Sequence, residues 1–262
     1  MKTLYCSALQ TSAVLGLPHT VLPNTDLNTF HHIGSPTPIN RPLMNYFAIG
    51  LSPKKEVVNG IYNVGKTPHT PLDGNVYQPI PIRFVKESLD LSSFERQAYR
   101  FRKVIPVNGE NYVAYFIKKL GVSKPANYFI REEVPEIKTT ILSTNSSKIL
   151  NPVPRPSSDT EYQSSIYQVS YSQPLSAEIL AVEFAEILTY ADLVLGITSA
   201  DVNIGEIMVC SGDEMVDPNT NNYELNGVQA MVFLDCELDE TIREQEFTFE
   251  LGSLEHMNHG GL

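Results

Sequence analysis

The sequence predicts a mainly β protein of the α+β class, with antiparallel, sandwich-like sheets, two or three short helices and an extended N-terminal arm. Short runs of β-branched and aromatic residues, separated by turn signals, predict the sheets. Residues 18–45 predict the arm because they are rich in Pro, and proline neither continues a helix nor donates to a sheet ladder. The chain has 262 residues, of which 42% are hydrophobic, so it can bury a core. It contains no run of about 18 apolar residues and no signal-peptide pattern, so we expect neither a membrane span nor a leader.

A hairpin is the clearest local prediction. The dipeptide Asn108-Gly109 lies between two β-rich runs, FRKVIPV and ENYVAYFIKKL. The second run is apolar on both faces, so we expect it to be a central strand. Upstream, NYFAIGL predicts another strand, and Asn59-Gly60 predicts a further tight turn.

Two short helices are predicted. Ser92 followed by Glu95 matches a capping box before SFERQAYR, in which Phe94 and Ala98 share one face. The second helix, AEILAVEFAEIL, would carry Glu178 in its first turn, where the helix dipole favours an anion. Because its apolar residues form no clean stripe, a strand is the alternative.

A Ser-, Pro- and Asn-rich stretch at 143–163 predicts a linker, and the charge of the chain reverses just after it. Together they predict a boundary near residue 160 and three parts: an arm or loop at 1–45, a basic, aromatic-rich α+β domain at 46–160 and an acidic, mainly β domain at 161–262. Strands are expected in the last part at SSIYQVSYSQ, at IGEIMVC followed by a turn at SGDE, at VQAMVFLDCEL and at EQEFTFELG.

The charge is unevenly distributed. Residues 1–173 carry 18 basic and 12 acidic side chains, a net charge of +6, whereas residues 174–262 carry 1 basic and 18 acidic ones, so the total is −11. This acidic balance argues against a protein that binds bare nucleic acid. A bipolar chain suits contacts with other protein subunits, including copies of itself. Neutralisation inside one monomer would remove that argument.

The sequence predicts no metal site and no cofactor. Three widely spaced cysteines without a CxxC pair exclude a disulfide scaffold and predict buried free thiols. Among six histidines, His31-His32 lie in the arm, and His256 and His259 lie in a glycine-containing tail. The stretch DEMVDPNTNNYE lacks the central glycine and the terminal glutamate of a calcium loop.

We also predict that the chain is not an enzyme. GIYNVGKT, at residues 60–67, satisfies the P-loop string, but the prolines that follow forbid the helix that a phosphate-binding loop needs. Neither G-x-S-x-G nor a cysteine backed by histidine is evident. The alternative is a nucleotide- or metal-dependent enzyme that uses this string or the C-terminal histidines. A glycan-binding β-module is a third option, weakened by the absence of Trp.

Basic residues interleaved with aromatic ones form the best candidate for an interaction surface. Such a cluster can bind nucleic acid, but it can equally bind an acidic protein face, and this chain supplies one. The interaction candidates are Arg96, Tyr99, Arg100, Arg102, Lys103, Lys118 and Lys119.

Several stretches resemble virion proteins of large tailed bacteriophages. In these, an aromatic-Pro-Ile-Pro segment precedes an R-x-x-Y-R-x-R stretch and a Y-x-A-Y strand, matched here by 79–81, 96–102 and 112–115. IGEIMVCSG resembles a strand and turn of phage tail and baseplate proteins, with Gly205 replacing the usual Ser. FLDCELDETIREQEFTFEL is similar to the C-terminal strand of contractile-tail baseplate wedge proteins. The resemblance covers about 45–120 and 200–250, and it implies structural rather than catalytic residues.

We therefore expect a structural component of a tailed-phage virion, assembled in the host cytoplasm through contacts with other virion proteins. The tail or baseplate is the first placement, and the neck between head and tail is the alternative. We expect a homo-oligomer or a ring with neighbouring proteins, and neither a membrane nor nucleic acid as partner.

Overall fold

Strands make up most of the described structure, which is a computed structural model. It describes residues 2–16, 43–51, 69–122, 127–133, 137–142, 166–216, 223–235 and 245–257. The α-helices of the described residues are α1 (Leu4–Leu15) and α2 (Ala181–Tyr190). The strands are β1 (Leu43–Leu51), β2 (Gln78–Ile80), β3 (Arg83–Lys86), β4 (Tyr99–Val107), β5 (Glu110–Lys119), β6 (Gly121–Val122), β7 (Asn127–Glu133), β8 (Ile137–Leu142), β9 (Ile166–Ile179), β10 (Ile204–Val216), β11 (Tyr223–Asp235) and β12 (Gln245–Met257). The predicted α+β, mainly β class is confirmed.

The chain forms two units, and each contains separate stretches of sequence. Unit 1 comprises Met1–Leu120 and Glu178–Gln245, and unit 2 comprises Gly121–Ala177 and Glu246–Leu262. This division differs from the predicted boundary near residue 160, a position that lies outside the described residues. Strand pairing accounts for the difference, because β1 pairs with β10 across more than 150 residues of sequence. The composition of consecutive segments carries no information about such pairing.

β5 is a central strand of unit 1, as predicted. The sheet has the order β11-β10-β1-β5-β3, with β2 paired to β1 and β4 paired to β5. Both β3 and β4 pair antiparallel with the same residues of β5, so they occupy its two edges. Residues 113–118 of β5 are all buried.

The predicted hairpin is confirmed, and it joins β4 to β5. Val107 pairs with Glu110, which leaves a loop of two residues. Both loop residues have positive φ, 51° at Asn108 and 84° at Gly109. A two-residue loop with this conformation matches the right-handed twist of its strands, and Asn-Gly is its favoured sequence.

β10 is longer than the sequence predicted. The expected turn at SGDE, residues 211–214, is wrong, because this segment continues β10 and pairs with β11 from Ser211↔Gln229 to Glu214↔Leu225. The register shifts between Ser211 and Asp213, so an irregularity accommodates the turn-forming residues without ending the strand. The strands predicted at NYFAIGL, IGEIMVC and VQAMVFLDCEL are confirmed within β1, β10 and β11.

The second predicted helix forms, but it begins later than expected. Ala177 and Ile179 are buried and Glu178 is exposed, an alternation that places them in β9. α2 follows at Ala181, and the acidic residue of its first turn is Glu183, not Glu178. α2 packs on β3, where the Glu186 carboxylate accepts the Phe84 N–H at 2.8 Å and so covers the outer edge of that strand.

The predicted arm begins with a helix, which corrects the interpretation of residues 1–45 as arm or loop. Thr3 caps α1, since its Oγ1 accepts the N–H of Cys6 at 3.2 Å. Thr3 also donates to β11, through its N–H to the Met231 carbonyl at 3.0 Å and through Oγ1 to the Ala230 carbonyl at 2.7 Å. Residues 17–42 of the predicted arm lie outside the described residues.

The buried thiols of Cys6 and Cys210 are free, as predicted. Among the described residues, no helix is both long and apolar enough to cross a membrane.

Unit 2 contains a sheet with the order β12-β9-β7-β8, and β6 pairs with β9. β7 lies between β8 and β9 and is antiparallel to both. The strands predicted at SSIYQVSYSQ and EQEFTFELG lie in β9 and β12. The predicted linker and the Asn59-Gly60 turn lie outside the described residues.

Candidate functional site

The seven interaction candidates lie on β4, β5 and the loop before β4, and six of them pair with three carboxylates. These carboxylates are Glu214 of β10, Glu183 of α2 and Asp90 of the loop.

Arg100 is the most buried member of the group, with none of its side chain exposed. Its Nη2 donates to Glu214 Oε1 at 2.8 Å, and its Nη1 donates to three backbone carbonyls, at 2.8 to 3.0 Å. The guanidinium also lies over two aromatic rings, with 5.7 Å to the ring centre of Tyr46 and 5.2 Å to that of Tyr223. Arg100 therefore holds strands of the sheet together and is not available to a partner.

The Glu214 carboxylate accepts two further donors beside Arg100. Lys119 Nζ lies 2.5 Å from its Oε1, and the Tyr46 hydroxyl donates to the same oxygen. Burial by itself would raise the pKa of Glu214, but the hydrogen bonds from Lys119 and Tyr46 and the nearby positive charges lower it overall. Burial and the bond to Glu214 raise the pKa of Tyr46.

Glu183 forms the second cluster, and its side chain has no exposed surface. Lys118 Nζ donates to its Oε2 and to the Glu178 carbonyl, both at 2.8 Å. The Leu180 N–H donates to the same carboxylate at 2.7 Å, and so does the hydroxyl of Tyr99. Glu183 thus caps the N-terminus of α2 and neutralises a lysine of β5 at the same time.

Asp90 forms the third cluster. Arg102 contacts its Oδ2 through two nitrogens, at 3.0 and 2.9 Å, and Arg96 Nη2 lies 2.6 Å from the same oxygen. Its Oδ1 accepts the Tyr115 hydroxyl at 2.7 Å. Burial would raise the pKa of Asp90, but these donors outweigh it and hold the pKa below its ordinary value.

Six of these residues are paired with carboxylates of the same chain, and their use as a docking surface stays a prediction. Lys103, the seventh, is partly exposed and also interacts within the chain. Four ion pairs of unit 1 join a basic residue of the first part of the sequence to an acidic residue of the last: Arg100–Glu214, Lys118–Glu183, Lys119–Glu214 and Arg83–Glu186.

A surface that the sequence did not predict lies at residues 87–98, the loop between β3 and β4, which we call the 87–98 loop. Leu89 is 71% exposed and Phe94 is 81% exposed, while Leu91 between them is buried. The expected helix is reduced to a 3-10 turn at Glu95–Ala98, so the predicted apolar face with Phe94 does not turn inward. Tyr99 and Arg100, at the end of SFERQAYR, already belong to β4.

Hydrogen bonds hold the 87–98 loop in place although its apolar residues Leu89 and Phe94 are exposed. The predicted capping box is confirmed: the Ser92 N–H and hydroxyl donate to Glu95 at 2.9 and 2.6 Å. Asp90 ties the middle of the loop to β4 and β5, and Asn111 Nδ2 donates to Glu87 at 3.0 Å. No sequence signal distinguishes Phe94 from a core residue, because its exposure depends on where the helix ends and the strand begins.

Among the described residues, no group of His, Cys, Asp and Glu side chains has a metal-binding arrangement. GIYNVGKT, His31 and His32 lie outside the described residues, and so does His259.

The chain belongs to the DUF7208 family, a family of unknown function, whose model matches residues 1–259. Neither the curated proteins nor the solved structures gave a match.

Proposed function

We propose that this chain is a structural component of a tailed-phage virion, most suitably placed in the tail or baseplate, and that it acts through protein–protein contacts. The resemblance of its sequence motifs to virion proteins supports this proposal. So does the structural use of those motifs. The R-x-x-Y-R-x-R stretch contributes three arginines to ion pairs inside unit 1, and the Y-x-A-Y residues lie in the central strand β5.

The observation that carries the proposal is the 87–98 loop. Two large apolar side chains, Leu89 and Phe94, are mostly exposed on a loop that three sets of hydrogen bonds hold in place. A rigid apolar anchor loses little conformational entropy when it binds. Burying such a side chain contributes about 1.5–3 kcal/mol. The loop therefore suits insertion into an apolar depression of a neighbouring protein.

The contact that we propose is apolar rather than ionic. Five of the six basic residues that the sequence offered for binding, Arg96, Arg100, Arg102, Lys118 and Lys119, are already paired with carboxylates of unit 1. Salt weakens contacts between exposed charges and has little effect on buried apolar ones. We therefore expect assembly to withstand high salt.

The first experiment is quantitative mass spectrometry and chemical crosslinking of tailed-phage particles purified from cells that produce this chain. We expect the chain at a fixed number of copies per particle, crosslinked to tail or baseplate proteins. Crosslinks to neck proteins instead would support the structural role but indicate a position in the neck. Absence of the chain from intact particles would overturn the proposal.

The second experiment compares matched variants of exposed apolar residues. Phe94→Ser and Leu89→Ser are compared with Leu72→Ser, which changes a leucine that is 69% exposed on another loop. We expect all three to keep the wild-type melting temperature. Incorporation into particles should fall about tenfold or more for the two variants of the 87–98 loop and stay unchanged for the control. Equal incorporation of all three would remove the loop as the point of contact.

A further inference from the structure

His69 is held between two carboxylates. Its Nδ1 lies 3.0 Å from Asp73 Oδ2, its Nε2 is hydrogen-bonded to Glu206, and 4% of its side chain is exposed. A carboxylate only accepts hydrogen bonds, so both ring nitrogens must carry a proton for both bonds to form. The geometry therefore selects the imidazolium form. The two carboxylates lie at opposite ring nitrogens, which excludes their convergence on one metal ion.

Aromatic rings cover both faces of this imidazole. The Tyr77 ring stacks at 4.3 Å between centres and the Phe233 ring at 3.9 Å. Phe233 belongs to β11, whereas Tyr77 ends the segment that begins at His69. Residues 69–77, which we call the latch segment, are thus attached to the sheet through the side chain of His69.

Glu206 of β10 is the residue of the sheet to which His69 binds. Its side chain is 3% exposed, and its Oε1 accepts the Tyr77 N–H at 2.7 Å. The carboxylate crosses Gly50 of β1, where a Cβ atom would lie 2.8 Å from Oε1. A buried carboxylate is costly unless it is paired and hydrogen-bonded, and His69 supplies the positive charge.

Within the described part of the chain, the charged groups that face His69 are Asp73 on its own segment and Glu206 on β10. Tyr77 contributes the other titratable side chain, Phe233 of β11 is apolar, and Gly50 of β1 has no side chain. Burial would lower the pKa of His69, but the hydrogen bonds and charges of Glu206 and Asp73 outweigh burial and raise the pKa above its ordinary value of 6.5. A raised histidine pKa means that the stabilisation is complete below 6.5 and is lost as the pH rises through the folded-state pKa.

We propose that His69 attaches the latch segment to the sheet in a pH-dependent way. The protonated imidazole holds the segment on β10 and β11, and loss of the proton releases it. Deprotonation leaves one ring nitrogen with a lone pair that faces a carboxylate, so one of the two bonds breaks. The effect extends to α1, because the Leu4 N–H donates to the Pro71 carbonyl at 2.8 Å. Release therefore breaks the bond between the latch segment and the Leu4 amide of α1 and uncovers the ring of Phe233.

The test is a pH titration of the full wild-type chain by NMR. The ring nitrogens of His69 report its protonation, and hydrogen-exchange protection factors of the Leu4 and Tyr77 amides report the latch. The Ile82 amide, which donates to the Tyr115 carbonyl at 2.8 Å, serves as the internal control. We expect His69 to lose its proton above pH 6.5, with an accompanying fall of about tenfold in protection at Leu4 and Tyr77 and none at Ile82. Three results would each contradict the proposal: loss of the His69 proton below pH 6.5, protection at Leu4 and Tyr77 that does not change when His69 loses its proton, and an equal fall in protection at Ile82.

Two variants assign the effect to His69. His69→Gln keeps a donor but loses the charge, so the Tyr77 amide should be about tenfold less protected at pH 6, with no further step on alkalinisation. Lys86→Gln removes one positive charge from an exposed ion pair with Glu110 and should behave like the wild type. If His69→Gln fails to fold, the wild-type titration still decides the proposal. A step that persists in a folded His69→Gln would contradict it.

Discussion

Arg100 and Glu214 form an ion pair with 2.8 Å between Nη2 and Oε1, although they come from opposite sides of the charge reversal in the sequence. Arg100 belongs to the basic first part and Glu214 to the acidic last part. Three further pairs of the same kind lie in unit 1. These four ion pairs therefore join the two distant stretches of chain that form unit 1.

Replacing Arg100 should be strongly destabilising. Arg100→Met removes a side-chain donor from three backbone carbonyls and from Glu214, which keeps Lys119 and Tyr46, and losing buried hydrogen bonds of this kind costs about 1–3 kcal/mol. Urea denaturation of the full chain measures the effect. Lys86→Met, in an exposed pair, is the control and should leave the midpoint nearly unchanged. Similar midpoints for both variants would contradict the assigned role of Arg100.

Glu183 and Lys118 should be energetically coupled. Glu183→Gln leaves a lysine that is 10% exposed without its counter-charge, so we expect a loss of about 3 kcal/mol. The double variant with Lys118→Met should be less destabilised than the sum of the single variants, by about 1–3 kcal/mol. A double-mutant cycle from urea denaturation gives this coupling energy. Strict additivity would show that the pair contributes nothing beyond its separate members.

Asp90 should contribute to loss of stability in acid. Because the donors around Asp90 lower its pKa below the ordinary 3.8, its contribution is complete above that value and is lost as the pH falls through the folded-state pKa. Asp90→Asn should be less stable than the wild type at pH 6 and should lose less stability between pH 6 and pH 2. Denaturation midpoints across this range provide the measurement.

Replacing Gly109 in the hairpin turn should destabilise the protein by an amount that depends on the new residue. Its φ of 84° is unfavourable for a residue with a Cβ, although no atom lies within 4 Å of the position that this Cβ would take. Gly109→Ala should therefore cost about 1–2 kcal/mol through backbone strain and not through a clash. Gly109→Asn should cost less, because asparagine tolerates positive φ. Equal losses in thermal or urea denaturation would point to another cause.

Features set by neighbouring residues could be predicted from the sequence. The Asn108-Gly109 turn and the Ser92–Glu95 capping box each depend on a few consecutive residues, and both occur as expected. The central position of β5 followed from its two apolar faces, since a strand covered on both sides has no polar face.

Features set by distant pairing could not be predicted. Residues 211–214 have turn-forming side chains, yet pairing with β11 keeps them in a strand. The basic residues of β4 and β5 resemble a free surface until β10 and α2 supply Glu214 and Glu183. The His69 contacts join residues separated by 137 positions, and nothing near His69 in the sequence indicates Glu206.

The bond from Thr3 to Ala230 has a consequence for the order of events during biosynthesis. The two residues are 227 positions apart, and a ribosome that adds about 5–20 residues per second needs roughly 10–45 s to cover that distance. For most of this interval α1 lacks β11 and β1 lacks β10, although β2 and β5 are already available to β1. A nascent chain stalled before β10 therefore presents apolar segments without partners, and a fragment that ends near residue 120 should aggregate unless a chaperone shields it.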